Sequence, residues 1–396
     1  MKVLVVAPQP FFTPRGTPLS VYYRTMVMAE NGASIDLLAY GEGQNVDIAR
    51  VRLIRIPRIP WIGPVAVGPS WKKFFLDILM CIWTIGLLLR NRYDAVHAHE
   101  EAVFWCRFLK PLFRFRLIYD MHSSLPQQLH NFQFTRSRML LGTFRALENT
   151  CLRKADAVIT ICPDLKDYAL GTGVDPARHV LIENSIFDDV RLVHAPAADA
   201  EESPQTPRAS AFSLDPTRPI ILYAGTFEYY QGIDVLIRAF AIVRGERPDI
   251  QLLLVGGTPA QVAAANALVT LLNLDESVCM TGRVSKTAAM RYTRLADVLV
   301  SPRLHGTNTP LKVYEQLASG KPLVATRIWS HTQVLNDSVC IMVDPDPESL
   351  ARGLLRALSD PEYSREVAAR AQALYESEYA RPNYERKIRR LLEIVS

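Results

Sequence analysis

The chain has no Cys-x-x-Cys pair. Its six cysteines stand at positions 81, 106, 151, 162, 279 and 340, without histidines at zinc-ligand spacing. That pattern suggests neither a zinc site nor a disulfide framework and fits a reducing cytoplasm. A charge surplus is also missing: 45 basic against 40 acidic side chains leave a formal +5, too mild to point to nucleic acid. No uninterrupted apolar run reaches the roughly 20 residues of a spanning helix. The nearest, residues 74–89, contains Asp77 and reads as a buried or interfacial helix. The apolar stretch 3–7 is too short for a signal-peptide core and reads as a first buried strand.

What the 396 residues do supply is apolar material, 49% of the chain, more than one core needs and enough for two. Short β-rich runs alternate with longer helical patterns, as in parallel sheets covered by helices on both faces. Strands are expected at 2–7, 34–40, 94–98, 116–121, 155–161 and 179–182, with a helix over 18–30 that Gly32 can end in the left-handed conformation. Residues 195–218, rich in Ala, Pro, Ser, Asp and Glu without periodicity, read as a linker. A second series of strands follows at 220–224, 251–255, 278–281, 298–301, 323–326 and 340–343. The expectation is two doubly wound, Rossmann-like α/β domains, 1–194 and 219–378, with a closing helix in 379–396 that packs back on the first. Ligand crevices of such sheets lie outside the carboxyl ends of the strands, so the site is expected in an interdomain cleft.

The segment 301–326 follows a strand and opens a helix. Thr309 is placed to be the N-cap and Pro310 the first helical residue, and Gly320 and Pro322 close the helix. Leu311, Tyr314, Leu317 and Ala318 recur at helical spacing and should face the core, leaving Lys312 and Glu315 on another face. The helix N-terminus, with the backbone of Asn308, Thr309, Pro310 and Leu311, offers N–H groups and a positive dipole end to a diphosphate. Lys312 in the first turn opposes that dipole, a conflict an anion relieves. By local pattern alone, a solvated Lys312 and Glu315 pair explains the helix equally well.

Residues 302–326, with Lys312, Glu315, Ala318, Gly320, Lys321 and Pro322, resemble the signature of retaining glycosyltransferase family 4 (glycosyltransferase group 1), whose fold is GT-B. The resemblance implies that Glu315 binds the ribose hydroxyls of a nucleotide-diphosphate sugar, since two carboxylate oxygens suit a vicinal diol. Thr307 stands where the family usually has a second glutamate. Residues 223–234 resemble the family's glycine loop, with Gly225 and Gly232 in tight turns. There, Thr226 and Gln231 replace the usual diphosphate-binding arginine and lysine. A departing nucleotide diphosphate needs a cation beside it, and Lys312 and Arg303 are the substitutes, although a plain surface role fits Arg303 as well.

His122, in Asp120-Met121-His122-Ser123-Ser124 after an apolar strand, resembles the family's histidine at the donor sugar and is the leading catalytic candidate beside Lys312; a structural histidine is the alternative. His97 and His99 read as core or cleft-wall residues. Gly16, in Pro14-Arg15-Gly16-Thr17, matches the family's glycine loop with one glycine in place of two. Gly256 with Gly257, and the backbone of Arg283 and Val284, resemble the loops around the donor base; plain turns are the alternative. Asp344-Pro345-Asp346 spells a metal-binding DxD pattern, but Pro345 favours a turn and no metal site is expected. Arg107, Lys110, Arg114 and Arg116 alternate with Phe108, Leu109, Leu112 and Phe113, a mix suited to an anionic membrane surface or to a solvated helix.

These readings converge on a cytoplasmic, membrane-peripheral enzyme. It would transfer a sugar with retention from a nucleotide-sugar donor to a glycan or lipid-linked acceptor hydroxyl, without cofactor or metal. The replacements at Thr226, Gln231 and Thr307 keep open a catalytically weak binding or scaffold subunit, and a sugar-nucleotide 2-epimerase ranks last.

Overall fold

The opening strand β1 (Lys2–Ala7) is a run of Val, Leu and Ala in which residues 3–7 are fully buried, as required of a central parallel strand covered on both faces. Around it the computed structural model, which describes residues 1–13, 16–59, 70–124, 138–184, 214–215 and 217–396, builds two units. One is Met1–Ala197 with Ala380–Ser396, the other Ala198–Tyr379. Most of the expected linker 195–218, and Pro14 and Arg15, lie outside the described residues.

The first unit holds a parallel sheet in the order β3-β2-β1-β4-β5-β6-β7. Its other strands are β2 (Ser34–Ala39), β3 (Val51–Arg55), β4 (Ala95–His99), β5 (Arg116–Met121), β6 (Ala157–Thr160) and β7 (His179–Leu181). On one face lie α2 (Trp71–Arg90), α3 (Ala102–Phe113), α4 (Arg138–Lys154) and α5 (Pro163–Gly171), sharing a core with Leu4, Val6, Val96 and Tyr119. On the other lie α1 (Gly16–Glu30) and α13 (Arg381–Val395), which bury Val27, Met28, Ile388 and Leu391 against Val3, Val5 and Ile118. The C-terminal helix is thus part of the first unit's core. Strand β3 is absent from the expected set because its arginines break the apolar pattern. It is an edge strand held by a bidentate Arg52–Asp36 pair at 2.8 and 2.8 Å, and Asp36 also accepts from Tyr93 Oη at 2.6 Å.

The second unit holds a parallel sheet in the order β10-β9-β8-β11-β12-β13. The strands are β8 (Ile220–Ala224), β9 (Gln251–Val255), β10 (Val278–Gly282), β11 (Val298–Ser301), β12 (Leu323–Thr326) and β13 (Ile341–Val343). The helices are α6 (Ile233–Glu246), α7 (Pro259–Leu271), α8 (Lys286–Leu295), α9 (Leu311–Ala318), α10 (Trp329–Thr332), α11 (Pro347–Ser359) and α12 (Pro361–Leu374). Local chemistry fixes their starts: Thr258 and Gln261 form a reciprocal capping box on α7, and Asp346 caps α11 by accepting from Ser349 N at 2.7 Å. The Asp344-Pro345-Asp346 sequence is therefore a turn and helix cap. In each sheet the strand order reverses at one place, between β1 and β4 and between β8 and β11, where doubly wound folds bind ligands.

Candidate functional site

In the second unit, the loops after β8 and β11 close on each other. Gly232 adopts φ +69°, and a Cβ there would lie 2.1 Å from Pro302 O, so only glycine lets the two loops meet. Gly256, at φ +123° after β9, approaches Gly225 O so closely that an added Cβ would sit 1.9 Å away. Leu304 N donates to Tyr230 O at 2.9 Å, completing the junction.

Lys312, at the start of α9, reaches into this junction. Its Nζ lies 4.2 Å from the centre of the buried Tyr223 ring and donates to Gln231 Oε1 at 3.2 Å. Burial, then repulsion from Arg303, pushes its pKa down to about 7. The structure thus brings together Lys312 and Gln231, the latter in the position of a missing cation. Tyr223 Oη donates to Thr226 O at 2.7 Å, fixing the backbone that follows Gly225, while the Thr226 side chain is exposed. Arg303 lies over the Tyr230 ring at 5.1 Å and donates from Nε to His305 O at 2.9 Å; burial lowers its pKa. It is a half-buried residue of the site wall.

Two details of α9 differ from expectation. Pro310 is the N-cap, with φ −65° and ψ 136°, and no side chain caps the helix; Thr309 stands one residue earlier, its Oγ1 buried without a hydrogen-bond partner. Proline's fixed φ suits the extended cap position as well as the first turn. The buried face is Val313, Tyr314 and Leu317, with Leu311 and Ala318 only half-buried, so Leu311 sits beside Lys312 at the helix start. Glu315 is exposed; the protein crowded around its carboxyl raises its pKa, and Lys286 opposes the shift. Arg283 is exposed, Val284 packs against the core near β10, and Asn308 is half-buried.

No motif or spacing singles out His331. Its ring joins Ser301 Oγ at 3.1 Å to Thr326 O at 2.8 Å, and Thr326 Oγ1 donates to Arg303 O. Burial pushes its pKa down to about 4, so it stays neutral and braces the loop that carries Arg303.

In the first unit, His122 follows β5 and is buried, with Asp120, His97 and His99 behind it. Asp120 Oδ2 receives Arg24 Nη1 at 3.0 Å, His97 Nε2 at 2.9 Å and His99 Nδ1 at 3.2 Å. His122 Nε2 lies 3.1 Å from His99 Nδ1, 3.2 Å from Arg24 Nη1 and 3.3 Å from Asp120 Oδ1. Burial alone would raise the Asp120 carboxyl, but Arg24 and the histidines outweigh it and hold the group well below its usual range. Burial lowers His97 and His99. His97, His99 and Asp120 place ligand atoms within 4.8 Å of one another, a donor set a metal could use. Here, however, the donors converge on Asp120 Oδ2 itself, the arrangement of hydrogen bonds about a buried anion. Arg24, inside α1, lies nearly a hundred residues from the motif it completes, and its position on a helix otherwise read as core conceals its role. Gly16, at φ +39°, is the exposed first residue of α1.

Two family models match the chain: glycosyl transferases group 1 over residues 207–374, and glycosyl transferase 4-like domain over residues 27–185. A phosphatidyl-myo-inositol mannosyltransferase of Propionibacterium freudenreichii subsp. shermanii is 25% identical over 94% of this chain and 90% of its own. Among solved structures, sucrose-phosphate synthase from Thermosynechococcus elongatus superposes with a TM-score of 0.71 at 21% identity, covering 99% of this chain and 98% of the other. Anabaena HepE in complex with UDP gives 0.68 at 16%, covering 99% and 100%. The likeness to these structures fixes the fold as GT-B.

Proposed function

Since the chain belongs to the glycosyl transferases group 1 family and is a glycosyltransferase, we propose that it transfers a sugar with retention of configuration. The donor is a nucleotide-diphosphate sugar and the acceptor a hydroxyl of a glycan or lipid-linked molecule, in glycolipid or other glycoconjugate synthesis. The observation that carries the reading is the seat of Lys312. A cation held between the Tyr223 ring and Gln231, at the carboxyl end of the sheet's switch point, sits where a diphosphate would meet it and the start of α9.

In this reading Lys312 stabilises charge developing on the departing nucleotide diphosphate, with Arg303 contributing from the wall. Glu315, one turn along the same helix, accepts the ribose hydroxyls. Gly225, Gly256 and the backbone of Thr226, Arg283, Val284, Asn308, Thr309 and Pro310 line the donor, and His122 orients the donor sugar. The chemistry needs no metal, because Lys312 and the helix N-terminus supply the positive charge. The relative's phosphatidyl-myo-inositol acceptor supports a lipid-linked polyol among the acceptors here.

A panel of nucleotide sugars read by thermal shift, followed by hydrolysis and transfer assays on any hit, tests the proposal. Stabilisation by one donor with slow hydrolysis is expected. Binding without turnover on any acceptor would instead favour a scaffold subunit, the alternative suggested by Thr226 and Gln231, and no binding to any donor would sink both.

A further inference from the structure

The loop from β11 to α9 holds a guanidinium in place without giving it an anion. Arg303 lies over the Tyr230 ring, 5.1 Å from its centre, and its Nε donates to His305 O at 2.9 Å. Its Nη2 is pressed against Gly306, where φ is +150° and an added Cβ would come within 2.3 Å of that nitrogen. The ring and the bare glycine fix the plane of the group, and its Nη edge is left for a partner. Among the described residues no carboxylate pairs with Arg303. Burial lowers its pKa, opposed by the Tyr230 and Tyr223 phenols. A guanidinium so enclosed ordinarily meets a carboxylate or a phosphate.

Its place in the site narrows the choice. Arg303 stands on the loop before α9, and Glu315 lies one turn along the helix beyond Lys312. With the ribose at Glu315 and the diphosphate at Lys312, the loop side is left for the transferred sugar. Tyr229, 77% exposed, and the exposed His305 set their rings 6.0 Å apart beside Tyr230, an apolar wall for the C–H face of a sugar ring. Thr307, next to Gly306, is also exposed, and its carbonyl accepts from Gln333 Nε2 at 2.5 Å. A glutamate at that position would bring a negative charge to the loop and accept from sugar hydroxyls. Threonine leaves the loop positive.

We infer that Arg303 selects a donor whose transferred sugar carries a carboxylate, a nucleotide-diphosphate hexuronate, by pairing its guanidinium with the exocyclic carboxylate of the sugar. The inference rests on the glycosyltransferase reading and adds to it the class of sugar. The planar fork of the guanidinium matches a carboxylate through two parallel N–H to O bonds. A neutral hexose offers only hydroxyl oxygens and leaves the half-buried charge unanswered. The diphosphate is the rival partner, but a guanidinium serving it would favour every nucleotide sugar alike.

The test is calorimetric titration of the full chain with donors that differ only in oxidation of the exocyclic carbon: UDP-glucose against UDP-glucuronic acid, and GDP-mannose against GDP-mannuronic acid. The readout is the ratio of affinities within a pair, because loss of a diphosphate contact lowers both members together. In the pair whose nucleotide the protein accepts, the uronate should bind about 10- to 100-fold tighter, the range of a charge-assisted hydrogen bond. Arg303→Gln should bring the ratio to about one. Arg303→Lys, which keeps the charge and loses the fork, should leave it in between. Thr307→Glu should lower the ratio with Arg303 still present, and unchanged melting temperatures of all three variants separate these results from misfolding. A ratio near one in the unmodified protein, or tighter binding of the neutral sugar, overturns the inference and leaves the glycosyltransferase reading standing. So does a uronate preference that survives Arg303→Gln, or equal losses for both members of a pair in that variant, which would assign Arg303 to the diphosphate. Binding of neither pair counts against both readings.

Discussion

Donor binding should be coupled to proton uptake through Lys312. With its pKa held at about 7 by burial and by Arg303, the side chain is half neutral at pH 7 and about 99% neutral at pH 9, on the Henderson–Hasselbalch relation underlying the reference values. A diphosphate beside Nζ favours the ammonium and draws the pKa back towards its ordinary value near 10.4. Below about pH 7 the group is charged in both free and bound states and affinity is flat. Above it, the fraction competent to bind falls from about one half to about one in a hundred by pH 9, so affinity weakens about 50-fold, or about 2.3 kcal/mol.

The neighbouring groups leave that window clear. His331, pushed down to about 4, is neutral throughout it, burial raises Tyr223 beyond it, and Arg303 stays charged. Calorimetric titration with a nucleoside diphosphate, in buffers of different ionisation enthalpy, reads both the affinity and the protons taken up. Uptake should rise from about half a proton at pH 7 towards one at pH 8.5, and Lys312→Met should abolish both the uptake and the slope. Affinity independent of pH between 7 and 9 in the unmodified protein, or an identical slope in Lys312→Met, would refute the assignment of Lys312 to the diphosphate.

Gly256→Ala should destabilise the second unit by about 1–3 kcal/mol in urea titration, because its Cβ would overlap Gly225 O and its backbone is left-handed; wild-type stability would show that the loop yields freely. Glu315→Ala should weaken nucleoside diphosphate binding by about 1.5–3 kcal/mol while leaving pyrophosphate binding intact, and equal losses for both ligands would count against a ribose contact. Arg24→Met should cost about 3–5 kcal/mol of folding stability by stranding buried Asp120, whereas a loss below 1 kcal/mol would mean that the histidines alone satisfy the carboxylate. Because a guanidinium only donates, Arg24 should also keep His122 Nε2 an acceptor and its proton on Nδ1. Nitrogen chemical shifts of labelled histidine showing the proton on Nε2 would contradict this.

Periodicity made the two parallel sheets legible, since central strands such as β1 and β8 are continuous apolar runs with no polar face to confuse them. Strand β3 escaped because an edge strand tolerates an exposed Arg52 and an Arg55 that donates to Tyr40 O and Glu42 O in the loop after β2, so its alternation is faint. At α9 the sequence carried the right residue types, but both Thr309 and Pro310 are acceptable at a helix start, and only the ψ of 136° at Pro310 decides which is the cap. The Lys312–Gln231 contact spans 81 residues. Local pattern supplied the two ends, and the crossing of the β8 and β11 loops supplied the contact.

The two units handle their buried charges in opposite ways, and that difference bears on which residues can do chemistry. Asp120 is met on Oδ2 by Arg24, His97 and His99, so its charge is paired before any ligand arrives, and the cluster works as a mount for His122. Among the described residues, Lys312 is met by a ring face and an amide oxygen, with Arg303 repelling it, and burial with that repulsion disfavours its charge. A mount gains from such pairing, which holds a side chain in one orientation. A group that must respond to an incoming anion gains from the reverse, because the interaction it lacks in the free protein is the one the ligand provides. By this measure the second unit holds the responsive centre, and the first a preorganised mount for His122.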